Sequence, residues 1–149
     1  MHASAPDTAE AALERVVYFF EHLQAADVAH LADIYTADAF FKDPFNEVQG
    51  VSAIRGIFEH MYTALDAPRF QVLETVAEGS QCFITWHFLF RFKGAAAEQC
   101  VRGASHLKFN GAGLITLHRD YWDAAEELYE KLPVLGSFMR WLKKRAGGH

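Results

Sequence analysis

Residues 40–45 read FFKDPF, an aspartate set among phenylalanines and directly before a proline. An ionised carboxylate in apolar surroundings loses hydration, so it must pair, protonate or reach water. Asp43 therefore has two readings. In the first it is a pocket carboxylate whose surroundings tune it for proton transfer. In the second it opens a turn, as Asp-Pro commonly does.

Working outward, the residues before FFKDPF are helical in pattern. Leu13, Val16, Val17, Phe20 and Leu23 share one side of a first amphipathic helix, with Asp7 or Thr8 as cap and Glu10 in its first turn. A shorter helix is expected from Asp27, with Val28, Leu31, Ile34 and Tyr35 on one side. Pro44 stops the extended segment. Gly50 and Ser52 then introduce a third helix through Ile54, Ile57, Phe58, Met61 and Leu65, ended by Asp66-Ala67-Pro68.

From Phe70 the period changes to two. FQVLETVA, CFITWHFLFRF, CVRGASHLKF and LITLHRDYW carry β-branched and aromatic residues between turns, which predicts a run of antiparallel strands. Asn110-Gly111 suits the tight connection of a hairpin between the last two. Helices followed by such a sheet make an α+β domain. After Trp122 helical spacing returns, breaks at Pro133, and resumes with Leu135, Phe138, Met139 and Leu142 against Arg140, Lys143, Lys144 and Arg145. Residues 123–149 are expected to form a C-terminal helical extension of one domain spanning 1–149. Its basic side is either solvated or touches a membrane surface.

The 13 Phe, 5 Tyr and 3 Trp are many for 149 residues, which points to an enclosed apolar space. A net charge of -5 opposes binding to phosphate backbones, so nucleic acid is not expected as a partner. The N-terminal residues show no cationic start followed by an apolar run, and no segment has the length of a membrane span, so a cytoplasmic protein is expected. Cys82 and Cys100 have no metal-site spacing and read as packing residues. His87 and His106 lack a third ligand at a recognisable spacing and read as interface hydrogen-bonders.

The order helix, helix, YTADAFFKDP, Gly-started helix, then strands containing HLKFNGAG resembles the NTF2-like superfamily over residues 8–122. Within it the chain is most similar to the ketosteroid isomerase and SnoaL-like polyketide cyclase branch. The resemblance implies a cone-shaped half-barrel: a strongly bent sheet wrapped around a long helix, with an apolar pocket in its mouth. It also implies that Asp43, the aspartate of KDP, matches the isomerase base. The positions of the isomerase oxyanion donors are held by Phe19 and Ser105, and Phe58 stands where a supporting tyrosine is expected. Loss of one such donor costs about 10²- to 10³-fold in rate, so steroid isomerisation itself is not expected.

Strand alternation puts Trp86, Phe88 and Phe90 on one face and His118, Asp120 and Trp122 on one face. Parity does not say which face looks inward; the resemblance turns both sets toward the pocket. SnoaL-like cyclases carry their acid/base on the last strand, which makes Asp120 the candidate here, with His118 to orient it or share its proton. The expected site thus has Asp43, His118 and Asp120 as catalytic groups. Phe19, Tyr35, Phe58, Trp86, Phe88, Phe90, Ser105 and Trp122 surround the substrate. The chemistry expected is proton transfer on a small apolar carbonyl compound, in isomerisation or cyclisation, with no cofactor or metal needed.

Alternatives remain. Asp120 could pair with Arg119, Arg102 or Arg91 at a sheet margin. A carboxylate, arginine, carboxylate set of Asp120, Arg102 or Arg91, and Asp43 would resemble limonene epoxide hydrolases. A noncatalytic module binding a small ligand or a protein would use the same cavity. The opposite sheet face also carries apolar residues, which predicts a homodimer through that face.

Overall fold

The computed structural model describes residues 9–128 together with residues 141 and 144. The expected basic amphipathic helix, with its apolar face of Leu135, Phe138, Met139 and Leu142, lies outside the described residues.

Helix α1 (Ala9–Glu21) buries Leu13, Val16 and Phe20. This is the stripe that its apolar spacing dictates. Glu21 at its end accepts a hydrogen bond from the Val72 backbone N–H, which ties the helix to an edge strand. The shorter helix expected from Asp27 spans Ala25–Asp33 and is of the 3₁₀ type. Its entry is closed by the Gln24 N–H donating to the Asp27 carboxylate at 2.8 Å. Tyr35, expected on that helix, is the first residue of strand β1 (Tyr35–Lys42). The strand claims it because it pairs in parallel with Ile115.

A short strand β2 (Glu47–Gln49) pairs back on β1, and helix α2 (Val51–Ala64) follows, burying Ile54 and Phe58. Gly50 before it sits at φ 104, where a side chain would be strained. Strand β3 (Leu65–Glu78) begins at once, five positions earlier than Phe70. The Asp66-Ala67-Pro68 run that reads as a helix stop is a bulge: the register shifts between Asp66 and Arg69, and Ala67 sits at φ 50. Edge strands tolerate proline at such bulges because no ladder hydrogen bond is lost there.

Strands β4 (Gln81–Phe92), β5 (Glu98–Phe109) and β6 (Ile115–Tyr121) complete a sheet of order β2-β1-β6-β5-β4-β3, all antiparallel except β1 beside β6. The β5–β6 hairpin is held by Asn110, whose side-chain oxygen accepts from the Ala112 and Leu114 N–H groups. The fold is α+β and NTF2-like, with helices packed on a mostly antiparallel, unclosed, curved sheet. Its core gathers Leu13, Val16, Phe20, Leu31, Ile54, Leu107 and Ile115 between the helices and the concave face. Large apolar side chains buried in this way contribute about 1.5–3 kcal/mol each.

After β6 the chain turns into a short helix α3 (Ala124–Glu127), capped by the Asp123 carboxylate. Buried Glu127 accepts hydrogen bonds from the backbone N–H, Nε and Nη2 of Arg102 at 2.7, 2.8 and 2.7 Å. Those bonds, then the charge of Glu127, hold the Arg102 guanidinium pKa above its usual range. The anchor clamps α3 to β5 and brings Leu128 to the rim of the cavity described next. Among the described residues no helix is long and apolar enough to cross a membrane.

Candidate functional site

The concave face is chosen by packing. Trp86 and Phe90 are buried, whereas Phe83 on the opposite parity is 49% exposed and Tyr121 is 48% exposed. Trp86 lies directly across from Gly103, and a Cβ there would stand 2.4 Å from the indole ring. Only glycine lets the indole lie flat on β5 at this point. In that position its Nε1–H donates to Ser105 Oγ at 2.8 Å.

Register then builds a polar chain inside an aromatic wall. Ser105 is the cross-strand partner of Asp120, and its hydroxyl donates to Asp120 Oδ1 at 2.5 Å. His118, two residues before Asp120 and on the same face, places Nε2 2.6 Å from that oxygen. Its Nδ1 lies 2.6 Å from the Tyr35 hydroxyl. Burial, and then the charge of Asp120, push the Tyr35 pKa well above the usual phenol range. A phenol that keeps its proton donates to Nδ1, which leaves Nε2 as the N–H directed at Asp120. Phe20, Phe41 and Tyr35 enclose the imidazole, at ring-centroid distances of 5.9, 4.7 and 5.9 Å.

Asp120 is thus held through one oxygen by two donors. Its side chain is 17% exposed, and Oδ2 receives no hydrogen bond from the described residues. It borders two adjoining spaces that share Phe58, Phe70 and Trp86 as walls. The inner one, of about 30 Å³, also touches Ser105, His118 and Phe20 and has room for about one or two waters. The outer one, of about 400 Å³, is of the size that takes small organic ligands. Phe70, Phe88 and Phe90 form a stepped stack along its wall, at 4.7 and 5.2 Å between centroids. Phe45 and Trp122 meet edge to face at 5.5 Å near its mouth, where Phe45 is 54% exposed.

A profile of the SnoaL-like domain matches residues 16–118, well over half of the chain. The chain belongs to the SnoaL-like domain family. Solved structures share its fold at low identity. One is a hypothetical protein with a ketosteroid isomerase-like fold from Catenulispora acidiphila, in complex with trimethylamine: 17% identity, TM-score 0.68, covering 84% of this chain and 92% of that one. Another is an LEH-like epoxide hydrolase from M. tuberculosis: 17% identity, TM-score 0.68, covering 97% and 100%. A third is an NTF2-like protein of unknown function from Burkholderia pseudomallei: 12% identity, TM-score 0.68, covering 80% and 94%. No functionally curated protein matches the sequence.

Within this SnoaL-like domain the expected site residues separate into groups. Asp120, His118, Ser105 and Trp86 meet in the polar chain, and Phe58, Phe88, Phe90 and Trp122 line the outer cavity. Phe19 borders neither space: it is half-buried, and its neighbour Phe20 takes the inner position because it falls on the buried stripe of α1. Tyr35 also borders neither space; it is 1% exposed and acts through His118. Asp43 reaches the outer cavity, but its oxygens are taken by a turn. Oδ1 accepts from the N–H groups of Phe45 and Asn46 at 2.8 and 2.7 Å, and both oxygens accept from Asn46 Nδ2 at 3.1 Å.

Arg102 is spent on Glu127 and Glu126, and neither it nor Arg91 lines either space, so the carboxylate, arginine, carboxylate arrangement is not assembled. His106 Nε2–H donates to Gln81 Oε1 at 2.9 Å, and the ring stacks on Phe83 at 4.3 Å, on the convex face. Cys82 is buried and Cys100 half-buried. Residues that strand and helix spacing did not single out for the pocket, Phe20, Phe41, Phe45 and Phe70, complete its walls. For Phe20 the signal was present in the Leu13, Val16, Phe20 stripe.

Proposed function

We propose that this SnoaL-like domain is a proton-transfer enzyme in which Asp120 moves a proton between positions of a small apolar carbonyl compound, in isomerisation or ring closure. The observation that carries the reading is the division of labour on that carboxylate. Two donors fix Oδ1, Oδ2 receives no hydrogen bond from the described residues, and the carboxylate borders the cavity. A base held this way needs little reorganisation when it takes a proton from a carbon beside a carbonyl. His118 holds the carboxylate through Nε2–H, and Tyr35 holds His118 in that tautomer. The proton taken by Oδ2 returns to a second position of the same molecule, so no oxidant or co-reactant is required.

The test is exchange of substrate α-protons for deuterium in D₂O, followed by NMR over a panel of apolar ketones and enones. Exchange by the native chain that disappears in Asp120→Asn is the expected result. Equal exchange by both proteins would remove Asp120 from the role of base, and none by either would turn the reading toward a noncatalytic binding module. The convex face, with Phe83 and Tyr121 presented to solvent and half-buried His106 stacked on Phe83, supports a homodimer through the open sheet. Sedimentation of the native chain against Phe83→Glu checks it, with a shift toward monomer expected.

A further inference from the structure

The outer cavity has an electrostatic character that a neutral carbonyl compound does not use. Its carboxylates are Asp43 and Asp120, His60 is the one imidazole on its wall, and no Lys or Arg borders it among the described residues. The remaining lining is dominated by aromatic rings, with the Phe70, Phe88, Phe90 stack on one side and Trp122 against Phe45 near the mouth. Ring faces carry the negative end of a quadrupole and attract organic cations within about 6 Å of the centroid. Carboxylates and ring faces therefore act with the same sign. Two donors beside Asp120 are spent inward: the Ser105 hydroxyl on Asp120, and the Trp86 indole N–H on Ser105.

We infer that the cavity takes an organic cation: a tertiary, quaternary or iminium nitrogen carried on an apolar body, with the charge paired to Asp120. The inference rests on the role given above to Asp120 and names the substrate class. In the iminium case the nitrogen also supplies its own electron sink. When Asp120 removes a proton from the carbon next to an iminium group, the C–H pair becomes the C=C bond. The C=N π pair then moves to nitrogen, giving a neutral enamine. Where a further C=C bond lies β,γ to the iminium, the product is a dienamine, and return of that proton from Asp120 to its γ carbon regenerates the iminium with the C=C bond moved into conjugation, every electron accounted for.

The experiment titrates the full chain with benzyltrimethylammonium, with its neutral isostere neopentylbenzene, and with the anion phenylacetate, following tryptophan fluorescence and heat. The ammonium compound is expected to bind at least about tenfold more tightly than the neutral one, with phenylacetate weakest. Asp120→Asn, of the same shape, should remove most of that preference, and Trp122→Leu should weaken the ammonium more than the isostere. Equal or tighter binding of neopentylbenzene, no ammonium binding at millimolar concentration, or a preference unchanged in Asp120→Asn each overturns the inference. Asp120-dependent deuterium exchange on neutral ketones without a cation preference would sink the cation alone. A cation preference in a chain that exchanges no protons would sink proton transfer alone.

Discussion

Asp43 and Asp120 border the same cavity, and their surroundings assign them opposite work. Asp43 accepts four N–H contacts from the turn that it opens, two of them backbone. Asp120 is gripped at one oxygen by side chains from two strands, and no group of the described residues donates to the other. A carboxylate committed to local backbone donors shapes the chain; one positioned by distant side chains with an oxygen to spare can act on a ligand. The number of aspartates in a pocket therefore says less than where each one's acceptor sites are directed.

The sharpest way to break this comparison is to exchange the two roles. Asp120→Asn should lower proton exchange by about 10²- to 10⁴-fold, the usual contribution of a positioned acid/base, with the thermal midpoint nearly unchanged. Asp43→Asn keeps the acceptor oxygen for the turn and should leave most of the activity. If Asp43→Asn is the silent variant's opposite and abolishes exchange, the assignment of the base passes to Asp43.

Next in size is Gly103→Ala. Its methyl group would meet the Trp86 indole, so that the ring must leave its place and release Ser105. A loss of about 1–3 kcal/mol is expected from overpacking, read as a shifted denaturation midpoint together with altered tryptophan fluorescence. Tyr35→Phe should cost a similar or smaller amount, about 1–3 kcal/mol, by leaving the buried His118 Nδ1 without its partner. It should also lower kcat more than it raises KM, because the phenol touches the histidine and not the ligand.

The smallest expected effect is on alkaline stability. Burial, and then the Asp120 charge, raise the Tyr35 pKa; burial, and then Asp27, push Tyr62 up to about 12; and burial pushes Cys82 up to about 12. Each of these groups keeps a proton in the fold that the unfolded chain releases near ~10 for a phenol or ~8.5 for a thiol. Their stabilisation is therefore whole below those values and falls as pH rises through the folded ones. Urea midpoints measured from pH 8 to 12 should decline, and Tyr35→Phe should flatten part of the slope. An unchanged slope would show that the phenol is solvated.

Much of this was legible along the chain. Helical stripes in α1 and α2, the period of two from Phe70 and the Asn-Gly hairpin are local signals, and local sterics carry them through. The misreadings share one cause: a tertiary partner outbid a local preference. Leu65 and Asp66 joined a strand because Phe92 and Arg91 were there to pair with them, and Tyr35 left a helical pattern for its place beside Ile115. At the site, two-residue spacing did place His118 and Asp120 on one face. It could not show that Tyr35, 83 residues earlier, would grip the imidazole.

The sequence by itself determined the family, the α+β order of elements, and which residues share a strand face. These follow from side-chain periodicity, which each residue carries with it. Only the tertiary structure decided which face became the cavity, that Asp43 serves a turn, and that Ser105 and His118 converge on one oxygen of Asp120. Those outcomes depend on which distant groups arrive within about 3 Å of a carboxylate, and that distance is set by the register and curvature of the whole sheet.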